Sequence, residues 1–137
     1  MGYLAYCTVG SNRIGEAKAF YDALLGSVGI MPVFEHPSGG RVYGHTGAPR
    51  FAVLPPHDAG YATAGNGSMF AFSFDKRVEV DKFYALAIEL GGTNEGAPGL
   101  RAPDRYYAYF RDLDGNKICA FSVEPDDEHL SRAAEHG

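Results

Sequence analysis

The chain has 137 residues, 45% of them hydrophobic and 21% charged, with a formal net charge of −5. That size fits one compact domain or two fused small modules around an ordinary core, and the charge provides no basic stripe to neutralise nucleic-acid phosphates. No apolar run approaches a bilayer span, and the opening MGYLAYCTVG lacks the basic start and long apolar stretch of a signal peptide. The expectation is therefore a cytoplasmic protein, without nucleic-acid or membrane partners, whose isolated Cys7 and Cys119 stay reduced.

In chain order, YLAYCTV reads as a buried strand. Ile14, Ala17, Phe20, Tyr21, Leu24 and Leu25 then recur at helical spacing, with Asn12 as a candidate N-cap and Gly26 as a stop. Three short strand candidates follow: IMPVFEH, RVYGH and RFAVLP, punctuated by Gly39-Gly40 and Gly47-Ala48-Pro49. The pattern restarts at SMFAFSF. Asp75 can cap a helix carrying Val80, Phe83, Tyr84, Ala87 and Leu90, which Gly91-Gly92 ends. A short strand near Leu100, then RYYAYFRD and KICAFSV, complete the second series. An offset of 63 residues maps Phe20-Tyr21 onto Phe83-Tyr84, Glu16 onto Glu79, Asn12 onto Asp75 and Tyr6 onto Met69. These matches share one register, so the reading is a βαβββ unit present twice. Module 1 runs over about 3–57 and module 2 over about 67–124, within a single domain of 1–137. Residues 125–137 form a polar tail with a candidate short helix.

Most chemical motifs fall away. Asp112-x-Asp114-x-Asn116 starts like a calcium loop, but glycine stands at position four where position six needs it, and Val123 stands where a glutamate is required. The stretch reads as a hairpin turn, since Asp, Gly and Asn tolerate positive φ. The five histidines form no HExxH and no i,i+4 pair. His36 and His45 lie on neighbouring strand candidates, where a displaced metal site is conceivable.

In order along the chain, AFYDALL, GNGSMFAFSF, GGTNEGAPGLR and YYAYFRDLDGNKI resemble the glyoxalase/bleomycin resistance protein/dioxygenase group, the vicinal oxygen chelate superfamily, over residues 3 to about 123. The resemblance implies an α+β fold: two tandem βαβββ modules forming a curved mixed sheet with a central cup, commonly paired as a homodimer. It also implies a divalent metal in the cup, held by His, His and Glu from the first strand of each module and the last strand of the second. Here the matching positions are Tyr6, Met69 and Cys119, with about Ala52 as an occasional fourth. None suits Mg²⁺, Mn²⁺, Fe²⁺ or Ni²⁺, which want imidazole and carboxylate. No metal and no cofactor are expected.

Strand alternation then lines the cup. If Tyr6 points in, so does Thr8, while Cys7 turns to the helix side, away from Cys119 and out of reach of a disulfide. A three-residue loop at 114–116 brings in Tyr107 and Tyr109; a two-residue loop would bring in Tyr106 and Phe110. The odd set agrees with the pocket of the resembling family. The lining is then Tyr6, Thr8, Met69, Tyr107, Tyr109, Cys119 and Phe121, with Tyr43 and Phe34 at its margin and Arg101 on a loop beside it. Aromatic rings with a few hydroxyls suit a small organic ligand, and Arg101 can grip an anion. Three functions remain open: a metal-free binding protein, a lyase or isomerase acting through a tyrosine or Cys119, and a closed scaffold.

Overall fold

The computed structural model describes residues 1–124, so the expected helix in the tail lies outside the described residues. Two units of identical topology follow one another. The first comprises β1 (Cys7–Gly10), α1 (Ile14–Gly26), β2 (Met31–Glu35), β3 (Arg41–His45) and β4 (Ala48–Leu54). The second comprises β5 (Phe70–Phe74), α2 (Arg77–Glu89), β6 (Thr93–Ala102), β7 (Arg105–Arg111) and β8 (Lys117–Ser122). Each makes its own four-stranded mixed sheet, ordered β1-β4-β3-β2 and β5-β8-β7-β6, with its first strand parallel to its last.

The helices form where the apolar spacing places them. On α1, Ala17, Phe20, Tyr21, Leu24 and Leu25 are buried at intervals of three and four. On α2 the buried positions are Val80, Phe83 and Ala87. The caps differ from expectation. Arg13 is the N-cap of α1 and Lys76 that of α2, with the Glu79 carboxylate accepting from the Lys76 amide at 3.0 Å. Asn12 is used otherwise. Its side chain bonds both the amide and the carbonyl of Ala62, at 2.6 and 2.9 Å, and so pins the connection between the units.

The helix-bearing faces of both sheets share one core. A ladder of rings crosses it from Tyr21 to Phe51 (5.0 Å between centroids), Phe72 (5.7 Å), Phe83 (5.7 Å) and Phe110 (5.9 Å). The β7–β8 turn fastens the units from the side. The Asp112 carboxylate accepts from the Tyr21 hydroxyl of α1 at 2.5 Å, Asp114 accepts from the Asn12 amide at 2.9 Å, and the Asn116 side chain donates to the Gly10 carbonyl at 3.0 Å. Gly115, at φ 87°, supplies the left-handed position that this turn needs.

Burial pushes the Tyr21 hydroxyl well above the ordinary tyrosine range, and the Asp112 carboxylate adds to the shift. Burial likewise raises Tyr43, helped by its hydrogen bond to Asp22 at 2.7 Å. A tyrosine ionises near pH 10 in the unfolded chain. These folded-state values lie higher, so their contribution to stability is complete below about pH 10 and is lost as pH rises beyond it. The expected slope is about 1.4 kcal/mol per pH unit for each such tyrosine. Urea midpoints above pH 10 should fall less steeply for Tyr21→Phe than for the parent chain; identical slopes would show that Tyr21 is not held protonated.

Candidate functional site

Alternation divides the second sheet cleanly. Phe70, Phe72, Phe74, Tyr106, Ala108, Phe110, Ile118 and Ala120 pack in or against the core. Their odd-numbered neighbours occupy the outer face, away from α2. Register fixes two rows across that face. One runs Ala71, Cys119, Tyr109, Gly96; the other runs Ser73, Phe121, Tyr107, Gly99. The hairpin tip is centred on residue 114, with Arg111 opposite Lys117, so odd residues face odd ones. The expected loop was placed one residue later. That shifts the pairing by two residues and leaves every side chain on the same face.

The rings of the two rows form a stack. Phe121 and Tyr107 lie nearly parallel at 5.2 Å, and Tyr107 continues to Tyr109 at 6.0 Å. The Arg101 guanidinium lies 5.7 Å from the Tyr109 ring centre and the Lys117 ammonium 5.2 Å from it. Two glycines of β6 make room for this. A Cβ on Gly96 would come within 2.9 Å of the Tyr109 ring, and one on Gly99 within 2.9 Å of the Arg101 guanidinium. Cys119 lies beneath its neighbours with 0% exposure. Burial pushes its thiol up to about 11, against the opposing pull of Lys117 and Arg101, so it is a neutral thiol at pH 7.

The structure therefore brings Arg101, Tyr107, Tyr109, Cys119 and Phe121 together. Thr8 stands exposed on the outer face of the other sheet, opposite Ala52 in register. Phe34 shares that sheet face through its pairing with Val42. Four expectations are corrected. Arg101 lies in β6, which runs on to Ala102, and not on a loop. Tyr43 lies in the core, because pairing with Phe51 turns it toward α1, where its hydroxyl meets Asp22. Tyr6 sits ahead of β1 and is 55% exposed, because pairing with β4 begins only at Cys7. Met69 precedes β5 and lines a different concavity.

That concavity is the larger of the two described, about 800 Å³, and follows the free edge of β5 between Cys7, Met69, Phe72 and Leu86. Nothing in the sequence signals it, because it forms only where the two units meet. Strand alternation from Cys119 also puts Lys117 on this face, although it was not among the expected lining residues; the structure sets its ammonium against the Tyr109 ring.

The donor set does not fit the divalent metal that the resemblance implies. Side chains on the outer face offer a neutral thiol, phenols and one hydroxyl, with neither imidazole nor carboxylate in the two rows. Among the described residues, no three His, Cys, Asp or Glu side chains converge. His36 and His45 lie at opposite ends of the β2–β3 hairpin, roughly 16 Å apart by strand rise, so they cannot share an ion. His36 is engaged by Ser38 at 2.7 Å. Cys7 and Cys119 are both free, on opposite faces of their sheets. Among the described residues no helix is long and apolar enough to cross a membrane.

Tandem βαβββ units that leave one sheet face bare of helices define a class of small α+β proteins. A sequence model of the Glyoxalase/Bleomycin resistance protein/Dioxygenase superfamily matches residues 3–120, and the chain belongs to that superfamily. It is similar to a glyoxalase/bleomycin resistance protein from Albidiferax ferrireducens T118, at 40% identity over 87% of this chain and 97% of that one, with a TM-score of 0.78. A glyoxalase/bleomycin resistance protein/dioxygenase family enzyme from Burkholderia phytofirmans PsJN shares the fold at 23% identity, covering 89% and 99% of the two chains (TM-score 0.71). So does lactoylglutathione lyase from Agrobacterium tumefaciens at 18% identity, covering 89% and 94% (TM-score 0.67). Comparison with curated proteins finds no match.

Proposed function

We propose that the protein binds a small organic molecule on the outer face of the β5–β8 sheet, without a metal, in the manner of a bleomycin-resistance protein that holds its ligand and does no chemistry on it. The observation that carries this is the aromatic stack. Tyr107, Tyr109 and Phe121 are half-buried and stack on one another on the helix-free face, whereas the half-buried rings of the opposite face, Phe70, Phe72, Phe74 and Tyr106, pack against the core. A closed scaffold has no use for three stacked rings at a surface. The lyase or isomerase reading is less well supported. A buried thiol pushed up to about 11 is a poor nucleophile at neutral pH.

A homodimer belongs to this reading. Tyr3, Leu4, Tyr6 and Met69 are exposed apolar side chains beside the free edges of β1 and β5. Unpaired edges flanked by apolar surface are natural places for a second copy, which would wall the open sheet face.

A melting series tests the metal-free part. Chelator and added Mn²⁺, Ni²⁺ or Zn²⁺ should leave the melting temperature unchanged, because an ion that binds only the folded chain at a hundredfold excess over its Kd would add about 2.7 kcal/mol. Elemental analysis should find no stoichiometric metal in the purified protein. One ion per chain, removed by chelator with loss of stability, would overturn the proposal.

A further inference from the structure

We infer that the ligand taken by this face is a planar aromatic carboxylate, with its ring laid on the Tyr107–Phe121 stack and its carboxylate drawn to Arg101 and Lys117; this rests on the binding reading above. The ring preference follows from stacking. Tyr107 and Phe121 are parallel to within 17° at 5.2 Å, an offset stack, and a flat aromatic ring can extend such a stack face to face or lie across its edges, the two arrangements that aromatic pairs prefer. Their row ends in Ser73 on one side and in the bare backbone of Gly99 on the other, so no bulky side chain closes it off.

The charge preference follows from pairing. In a chain of net charge −5, four of the seven described arginines have found a carboxylate. Arg13, Arg41, Arg105 and Arg111 each form an ion pair. Among the described residues, Arg50, Arg77, Lys82, Arg101 and Lys117 form none, and of these Arg101 and Lys117 lie against the Tyr109 ring on this face. Arg101 donates only to the Ala97 carbonyl, at 2.9 Å. The carboxylate at this end of the sheet, Glu95, is held by Arg111 at 2.5 Å. Lys117 adds a weaker pull on it, which leaves the face positive overall. Burial raises both the Tyr109 phenol and the Cys119 thiol, so neither contributes an opposing charge. Two unspent cations beside an aromatic strip form a complementary surface for an anion carried on a ring. The guanidinium is also kept in place by packing, since Gly99 leaves the room that it occupies.

Matched probes separate the parts. Binding of 2-naphthoate, its neutral amide 2-naphthamide and the non-aromatic cyclohexanecarboxylate is measured by calorimetry. Chemical-shift mapping locates each probe. The expected result is that 2-naphthoate binds at the Tyr107–Phe121 strip at least about tenfold more tightly than either analogue, and that added salt weakens it. Arg101→Ala should erase most of the advantage over the amide, and Arg101→Lys should restore part of it. Tyr107→Ala should weaken 2-naphthoate and 2-naphthamide alike. Equal affinity for acid and amide at the strip would overturn the anion inference and leave the binding proposal standing. Failure of all three probes to reach the strip would overturn both.

Discussion

Replacing Asp112 with alanine is expected to destabilise the protein by roughly 3–5 kcal/mol, a loss of the size found when one member of a buried charged network is removed. The carboxylate is 4% exposed and receives four hydrogen bonds. They come from the Tyr21 hydroxyl at 2.5 Å and, each at 2.9 Å, from the amides of Asp114 and Asn116 and the Asn116 side chain. Alanine leaves these donors without an acceptor, and each buried orphan costs about 1–3 kcal/mol. Asp112→Asn keeps the shape and one acceptor oxygen, so its loss should be smaller. Tyr21→Phe removes one donor together with its need for an acceptor and should cost least. Urea denaturation of the three variants gives the order. A loss below about 1 kcal/mol for Asp112→Ala, the ordinary scale of a surface change, would show that the turn does not hold the two units together.

A comparable loss is expected at Phe51. Its ring is 3% exposed and touches both units: Tyr21 on one side, Phe70 and Phe72 on the other, at 5.0, 6.1 and 5.7 Å. Phe51→Ala opens a void at that junction, and cavities of this kind cost about 3–5 kcal/mol. Phe34→Ala serves as the control, since that ring is 49% exposed on the outer face of the first sheet; its effect should stay within about 0.5 kcal/mol. Similar denaturation midpoints for the two variants would refute the role of Phe51 as the bridge.

These two sites show why the turn RDLDGNK was legible as a turn and its purpose was not. Residue type alone announces a hairpin at Asp114-Gly115-Asn116. That the Asp112 carboxylate serves a tyrosine 91 residues away is settled by packing. The internal repeat has the same limit. Phe20-Tyr21 and Phe83-Tyr84 occupy equivalent helical positions, yet Tyr21 is buried on Asp112 while Tyr84 reaches out to Asn94 at 2.8 Å. Tyr21 meets the other unit's β7–β8 turn, whereas Tyr84 bonds within its own unit.

By itself the sequence determined the two α+β units, their helices and the shared face of Cys119 and Phe121, while Tyr107 and Tyr109 were set beside them by the resembling family's pocket rather than by alternation. Helical period and strand alternation are local properties, and an odd-to-odd pairing survives a small error in turn position. Tertiary structure decided the rest. Val42 and Tyr43 are adjacent and both buried, so alternation cannot say which of them meets the helix; pairing with Phe51 does. The start of β1, the separation into two sheets and the placing of Lys117 and Arg101 around one ring depend on contacts between segments far apart in the chain. Such contacts carry no period of their own along the sequence, because each is fixed by which surfaces the core leaves free once it has closed.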